Sequence, residues 1–184
     1  GFIFALVFSF FLKGKQKNIL FTFIIISLII TLSLRTSPEE YTRYLYLQCS
    51  SLDKVFSGFP FSEFIYRFIG YLSFNTPYPR FTIHFVTYGL MFIFLNYSLK
   101  IYGLQFYYRI IPISFFLGHY FLSLSYLAIR SGLANAIAFC AVAILVNKNS
   151  LGKFLIFGLI SIFIHFQVIP FLFIASLGYF CKGI

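Results

Sequence analysis

The chain is dominated by long apolar runs that short polar connections separate. The runs cover residues 2–12, 19–34, 81–99, 110–129, 132–146 and 154–180. Because a bilayer span needs about 20 mainly apolar residues, several of these runs are long enough to cross a membrane as helices. The pattern predicts an all-α fold, a polytopic transmembrane helix bundle with about six visible spans.

The two ends of the chain both lie in or directly after an apolar run. The run at residues 2–12 has 11 residues, which is shorter than a bilayer span. We therefore expect residues 1–184 to form a single transmembrane domain that belongs to a longer protein. The last run, residues 154–180, is too long for a simple span and is interrupted by His165, Gln167 and Pro170. It predicts a kinked or broken helix, or two short arms.

Residues 35–80, here called the long connection, contain all the acidic residues of the chain: Glu39, Glu40, Asp53 and Glu63. The short connections at residues 13–18, 100–109 and 147–153 carry seven Lys and Arg and no acid. Short loops rich in Lys and Arg face the cytoplasm. The long connection and Arg130 are therefore predicted to lie on the outer, extracytoplasmic face.

The long connection contains signals for short helices. Ser37 reads as an N-cap, Pro38 as the first helical residue, and Glu40 completes a capping box. Further on, apolar residues recur at helical spacing: Phe61, Phe64, Ile65, Phe68, Ile69 and Leu72. Glu63, Arg67 and Gly70 share the opposite face. This pattern predicts an amphipathic helix that lies in the membrane interface.

Composition narrows the class of protein further. Hydrophobic residues make up 60% of the chain and charged residues 10%, against about 25% charged in a soluble domain. The net charge of +10 is spread along the span boundaries, whereas a nucleic-acid footprint clusters on one face. We expect no nucleic acid as partner. No metal-ligand spacing is present among the three cysteines, and no cofactor is expected.

Polar residues at membrane depth are costly and are candidates for function. Those that converge on the outer leaflet are Arg35, Glu40, Glu63, His84, Arg130 and His165. Arg130 lies outward against the topological bias, among small residues that allow close helix approach. His165 lies deep in an apolar run with no charge near it in sequence. Among the candidates, Arg130 and His165 are the two for which the sequence most strongly indicates a role in function.

The other candidates each have a structural alternative. Arg35, at a helix end, can extend its side chain to the interface. Glu40 can serve only the capping box, and Glu63 can pair with Arg67 one turn later. His84 can hydrogen-bond a carbonyl group. His119, near the midplane, can line a cavity or be a core histidine.

Four short segments resemble the EpsG family of exopolysaccharide proteins. They are Ser33-Leu-Arg35 followed by Tyr41, Glu63-Phe-Ile-Tyr, Ile129-Arg130-Ser-Gly-Leu-Ala134, and Ile164-His165-Phe-Gln. The resemblance covers roughly residues 19–180. That family is similar in role to the Wzy-type polymerases of O-antigen and capsule. Where the family often shows Gly-Thr-Asp before the Tyr, this chain has Thr36-Ser-Pro-Glu-Glu40.

The resemblance implies a membrane glycosyltransferase in the bacterial plasma (inner) membrane. It would join oligosaccharide repeats carried on polyprenyl diphosphate, with membrane lipids and other polysaccharide-assembly proteins as further partners. Arg130, Arg35 and His84 are expected to bind substrate, and His165, Glu63 and Glu40 to act in catalysis. A set of tyrosines predicted to be exposed would stack on sugars or form an interfacial belt: Tyr41, Tyr44, Tyr46, Tyr71 and Tyr78.

Three other functions remain open at this point. A transporter of lipid-linked saccharides would show internal repeats or paired broken helices. A glycan acyltransferase would use an acyl donor from the cytoplasm and depend on His119. A non-catalytic subunit of a polysaccharide assembly complex would use Arg130 and His165 only to pack helices.

Overall fold

The computed structural model describes residues 15–34, 39–57, 63–122 and 126–181. Across these ranges the chain is helical and contains no strand. The described α-helices, in chain order, are α1 (Lys15–Ser33), α2 (Glu39–Gln48), α3 (Leu52–Phe56), α4 (Phe64–Phe74), α5 (Pro79–Ile101), α6 (Phe106–Leu122), α7 (Tyr126–Lys148), α8 (Leu151–Ile164) and α9 (Ile169–Cys181). A 3₁₀ turn, Phe166–Val168, separates α8 from α9. The all-α prediction is confirmed.

Two described helices are long and apolar enough to cross a bilayer. They are α5 and the stretch Ile129–Lys148 of α7. Residues Asn18–Ser33 of α1, helix α8 and the stretch Phe166–Cys181 are apolar but shorter. Within the described residues, two of the predicted spans therefore have the length and composition that a crossing requires. The predicted partial run at residues 2–12 lies outside the described residues.

Helix α7 forms the centre of the bundle and contacts α5, α6, α8 and α9. Many of its residues are buried on several sides of the helix, and five of them are alanines: Ala134, Ala136, Ala138, Ala141 and Ala143. Small side chains let neighbouring helices approach closely on several sides. The helix therefore holds its polar residues at fixed positions inside the bundle.

The predicted boundary between two runs at Arg130 is wrong. Residues 126–148 form one helix, so Arg130 lies within α7 and not in a loop between residues 129 and 132. Helix α6 ends at Leu122 and α7 begins at Tyr126, both before Arg130. The segment around Arg130 contains no proline, and a charge interrupts a buried helix only when it lacks a partner. Arg130 has one, as described below.

Residues 151–181 form a helical hairpin, so the predicted break in the last run is observed. Helix α8 has 14 residues and α9 has 13, which gives arms of about 20 Å each. Leu172 packs against Gly158, and the hydroxyl of Tyr179 hydrogen-bonds Asn149 at the start of α8. The arms therefore run antiparallel, and residues 165–168 form the tip of the hairpin.

Helix α4 turns its polar face toward the protein. Tyr66, Gly70 and Ser73 are buried, whereas Phe68 and Leu72 are exposed, in agreement with the predicted amphipathic pattern. Helix α4 contacts α3, α5, α8 and α2, which brings the long connection against the tip of the hairpin. Helix α2 begins at Glu39; Ser37, Pro38 and the side chain of Glu40, on which the capping box depends, lie outside the described part of the chain.

Candidate functional site

Three of the six predicted site residues meet at one end of the bundle. The guanidinium Nη1 of Arg130 pairs with the carboxylate Oε2 of Glu63. The other carboxylate oxygen, Oε1, lies 3.8 Å from Nδ1 of His165. The Arg130 and His165 side chains are 3% and 5% exposed, and that of Glu63 is 17% exposed. One carboxylate thus bridges α7 and the hairpin tip, and this group is called the Glu63 cluster below.

Glu63 reaches the cluster because it does not cap its own helix. It is the N-cap residue of α4, yet its side chain makes no capping hydrogen bond. The backbone carbonyl of Glu63 accepts from the amide of Arg67 at 2.9 Å, which starts the helix. The carboxylate is therefore available to the bundle interior. It pairs with Arg130 on another helix and not, as the local spacing had suggested, with Arg67.

Arg130 is held by an aromatic ring as well as by the carboxylate. Its Cζ lies 5.9 Å from the centroid of the Tyr44 ring, a cation–π distance. Tyr44 in turn contacts the ring of Tyr66 on α4, with centroids 6.1 Å apart. Tyr44 is 4% exposed, so the prediction that it is an exposed, sugar-stacking residue is wrong. It faces inward because Tyr44 and Leu45 lie on the side of α2 that packs on the bundle.

His165 lies where the chain leaves the helical conformation. Its backbone is extended, with φ −163° and ψ 123°, and its amide donates to the carbonyl of Ser161 at 3.0 Å. The side chain is buried. The adjacent tip is tied to α7 by a hydrogen bond in which Ser131 Oγ donates to Gln167 Oε1 at 3.2 Å. The tip and the Arg130 turn of α7 therefore share two links, one through Glu63 and one through Ser131.

Electrostatics favour the ionised form of Glu63. Burial alone would raise the pKa of its carboxyl group. The neighbouring His165 imidazole and the positive charges of Arg130 and Arg67 outweigh burial and lower the pKa below its ordinary value of 4.5. An ionised carboxylate with a lowered pKa is a weak base. It is suited to orienting an imidazole and to neutralising a guanidinium group.

Of the remaining predicted site residues, His84 alone has a side chain within the described part of the chain. Arg35 lies outside the described residues. Glu40 lies in the first turn of α2, and its side chain also lies outside the described part. His84 is buried on α5, and its ring stacks on that of Tyr88 with centroids 6.2 Å apart. Roles for these three residues stay predictions.

Sequence reasoning missed Tyr44 as a partner of Arg130. The available signal was the helical spacing of positions 44, 45, 48 and 49, in α2 and directly after it. Tyr44, Leu45 and Cys49 are all buried.

Within the residues that the structure describes, no group of three or more His, Cys, Asp or Glu has a metal-binding arrangement.

A cleft of about 420 Å³ lies beside α2 at the same end of the bundle. Its described lining consists mainly of aromatic, proline and leucine side chains and includes Arg80; the aromatic residues are Tyr46, Phe74, Tyr78 and Phe81. None of the Glu63 cluster lines it. The cluster carries the ionisable chemistry, so we take the cluster as the candidate site and the cleft as a neighbouring surface.

No protein-family model, no curated protein and no solved structure matches the chain. The contacts of Glu63, Arg130 and His165 are therefore the basis on which a function is argued.

Proposed function

We propose that the protein polymerises oligosaccharide repeats carried on polyprenyl diphosphate, at the outer face of the bacterial plasma membrane. The single observation that carries the proposal is the Glu63 cluster, which joins a buried arginine, a carboxylate and a buried histidine at the tip of a helical hairpin. A guanidinium group suits the diphosphate of the donor. A carboxylate-oriented imidazole suits the acceptor hydroxyl.

The reaction has a simple balance. The acceptor hydroxyl oxygen forms a bond to the anomeric carbon of the donor, and the bond from that carbon to the diphosphate oxygen breaks. The diphosphate leaves with the bonding electrons, and the hydroxyl proton passes to His165. Glu63 faces Nδ1 of His165, so Nε2 on the opposite edge of the ring takes the proton. Arg130 stabilises the charge that develops on the leaving diphosphate.

The remaining predicted site residues complete the proposal. Arg35 and His84 join Arg130 in binding the lipid-linked substrate, and Glu40 is the third catalytic residue.

The proposal includes a multi-pass topology in which the first five predicted runs are spans and the sixth, residues 154–180, is a hairpin that does not cross. The positive short connections support an inward position for residues 147–153. The arms of the α8–α9 hairpin are shorter than the hydrocarbon core of about 30 Å, so the hairpin enters and leaves on that inner side. Its non-helical tip is packed against protein, as backbone at membrane depth requires.

The test uses the intact parent gene in its own host. Arg130→Ala and His165→Ala variants are made, membrane levels are matched, and the surface glycan is resolved on a gel. We expect the polymer ladder to collapse to single repeats. His119→Ala is the matched control and should leave the ladder intact. An unchanged ladder in the Arg130 and His165 variants would rule out the site, and dependence on His119 alone would favour the acyltransferase.

A transporter of lipid-linked saccharides is the second candidate, because the α8–α9 hairpin is a pair of half-helices of the kind that line transport sites. The same gel separates the two functions. A transport defect removes single repeats from the surface together with the polymer, whereas a polymerase defect leaves the single repeats. Normal glycan in both variants would indicate a non-catalytic assembly subunit.

A further inference from the structure

Among the described residues, the surroundings of Glu63 contain more positive than negative charge. Arg67 lies one turn after Glu63 on α4, on the inward side that also includes Gly70. Its charge acts on the Glu63 carboxyl and on the thiol of Cys49, and the charge of Arg130 acts on the same two groups. The charges of two guanidinium groups therefore act on a single carboxylate.

Arg67 is not neutralised within the described part of the chain. The ion pairs formed there by Glu63 are with Arg130 and His165. The Arg67 side chain is half-buried, and its Nε is fully buried without a hydrogen-bond partner. A buried donor on a charged group is costly when it has no acceptor. An anion that supplied oxygen acceptors would remove this cost.

We propose that Arg67 and Arg130 form one binding site for a phosphate or diphosphate group, in which Glu63 holds Arg130 until the anion enters. When the anion takes both guanidinium groups, the Glu63 carboxylate is left with His165. The site then presents two positive charges, which match a diphosphate diester with one charge on each phosphoryl group. Arginine is suited to this task because its planar fork binds phosphoryl oxygens in pairs.

The chemical class of the anion follows from the cluster, and its identity as the donor diphosphate rests on the proposed function. The same chemistry would also accept the phosphate of an anionic phospholipid. The proposal adds Arg67 to the substrate-binding residues and gives Glu63 a second role as the displaceable counter-ion.

Binding is tested on the full-length protein in nanodiscs of phosphatidylcholine. Inorganic pyrophosphate and a polyprenyl diphosphate are titrated by calorimetry into wild type, Arg67→Gln and Arg80→Gln. Arg80→Gln is the matched control, since it removes the same charge from an exposed arginine at the start of α5. We expect Arg67→Gln to weaken binding by about 10- to 100-fold, because charge-assisted hydrogen bonds are lost. Arg80→Gln should change it by less than about threefold.

A conservative variant guards against misfolding. Arg67→Lys keeps the positive charge but loses the planar guanidinium group, so its affinity for the diphosphates should lie between those of wild type and Arg67→Gln. All variants must elute as wild type does on size exclusion; if Arg67→Gln does not, the comparison passes to Arg67→Lys, whose unchanged binding would overturn the proposal. Repeating the titration with phosphatidylglycerol in the nanodisc separates the two phosphate sources, since competition by the lipid identifies a phospholipid headgroup as an occupant.

Several results would overturn the site. One is an affinity of Arg67→Gln equal to that of wild type, and another is an equal loss of affinity in Arg67→Gln and Arg80→Gln. The third is that neither diphosphate binds to wild type. The proposed function fails separately. If Arg67→Gln abolishes diphosphate binding in nanodiscs but leaves the glycan ladder intact in cells, the anion site stands and polymerisation through it does not.

Discussion

The carboxylate of Glu63 pairs with the guanidinium group of Arg130 on a different helix, although Arg67 lies one turn away on the helix that Glu63 begins. An ion pair within a helix contributes about 0.2–0.5 kcal/mol. A pair between helices inside the bundle has a larger effect when one partner is lost, because the other charge remains buried. The Glu63–Arg130 pair therefore fixes how the long connection sits on the bundle.

Removing one member of this pair should destabilise the fold. We expect Glu63→Gln to lower the free energy of unfolding by about 2–4 kcal/mol, below the largest effects for buried pairs because Glu63 is partly exposed. The double variant Glu63→Gln, Arg130→Leu should recover part of the loss, since it removes the unpaired charge. Unfolding in mixed micelles measures both. A double variant that loses the sum of the two single losses would contradict the pairing.

The free energy of unfolding should also depend on pH, because Glu63 changes its protonation state. Its pKa is lowered in the folded protein, so the contribution of its ionised form is complete above the ordinary pKa of 4.5 and is lost as pH falls through the lower folded value. In unfolding measurements from pH 7 to pH 3, the difference in midpoint between wild type and Glu63→Gln should therefore narrow as the pH falls below 4.5. A difference that stays constant down to pH 3 would show that Glu63 is not the titrating group.

The contact between α4 and the end of α2 should be sensitive to one methyl group. A Cβ atom built on Gly70 would lie 2.5 Å from Sγ of Cys49. Gly70→Ala should therefore destabilise the protein by about 1–3 kcal/mol through overpacking. Gly89→Ala is the matched control on α5, where a Cβ meets nothing within 4 Å. That variant should be neutral or slightly stabilising, and equal losses in both would contradict the close approach at Gly70.

The hairpin predicts on which side of the membrane Cys181 lies. Cys181 is exposed, whereas Cys49 and Cys140 are buried. Because α9 returns to the start of α8, a membrane-impermeant maleimide should reach Cys181 from the same side as a cysteine placed at Asn149 in a Cys181→Ser background. A cysteine placed at Asp53 in that background should react from the opposite side. Labelling of Cys181 from the Asp53 side would mean that residues 151–181 cross the membrane.

The residues of the Glu63 cluster could be chosen from the sequence, but their contacts could not. Arg130 and His165 stood out because charge and imidazole are costly among apolar residues. The pairing of Glu63 with Arg130 was missed because sequence spacing shows only neighbours on one helix, and Arg67 is the neighbour of Glu63 at that spacing. The break at His165 followed from the polar residues and Pro170 inside an overlong run.

Two other differences have physical causes that local sequence does not display. Arg130 was expected to end a helix, because an isolated charge in an apolar run usually marks a boundary. Its neutralisation by Glu63 and its contact with Tyr44 let α7 continue through it. Tyr44 was expected at the surface because tyrosine is common at interfaces; its burial depends on how α2 docks, which is a tertiary property.

The position of His165 along the bundle depends on the lengths of α8 and α9, whereas Arg130 lies on α7. Each arm spans about 20 Å, and one helical turn more or less in both arms would move His165 along the bundle by about 5.4 Å. Arg130 is carried by α7, whose length is set independently. The distance between the imidazole and the guanidinium group therefore depends on arm length together with the links through Glu63 and Ser131. Arms one turn longer or shorter would break these links, so the lengths of α8 and α9 are matched to the position of Arg130 on α7.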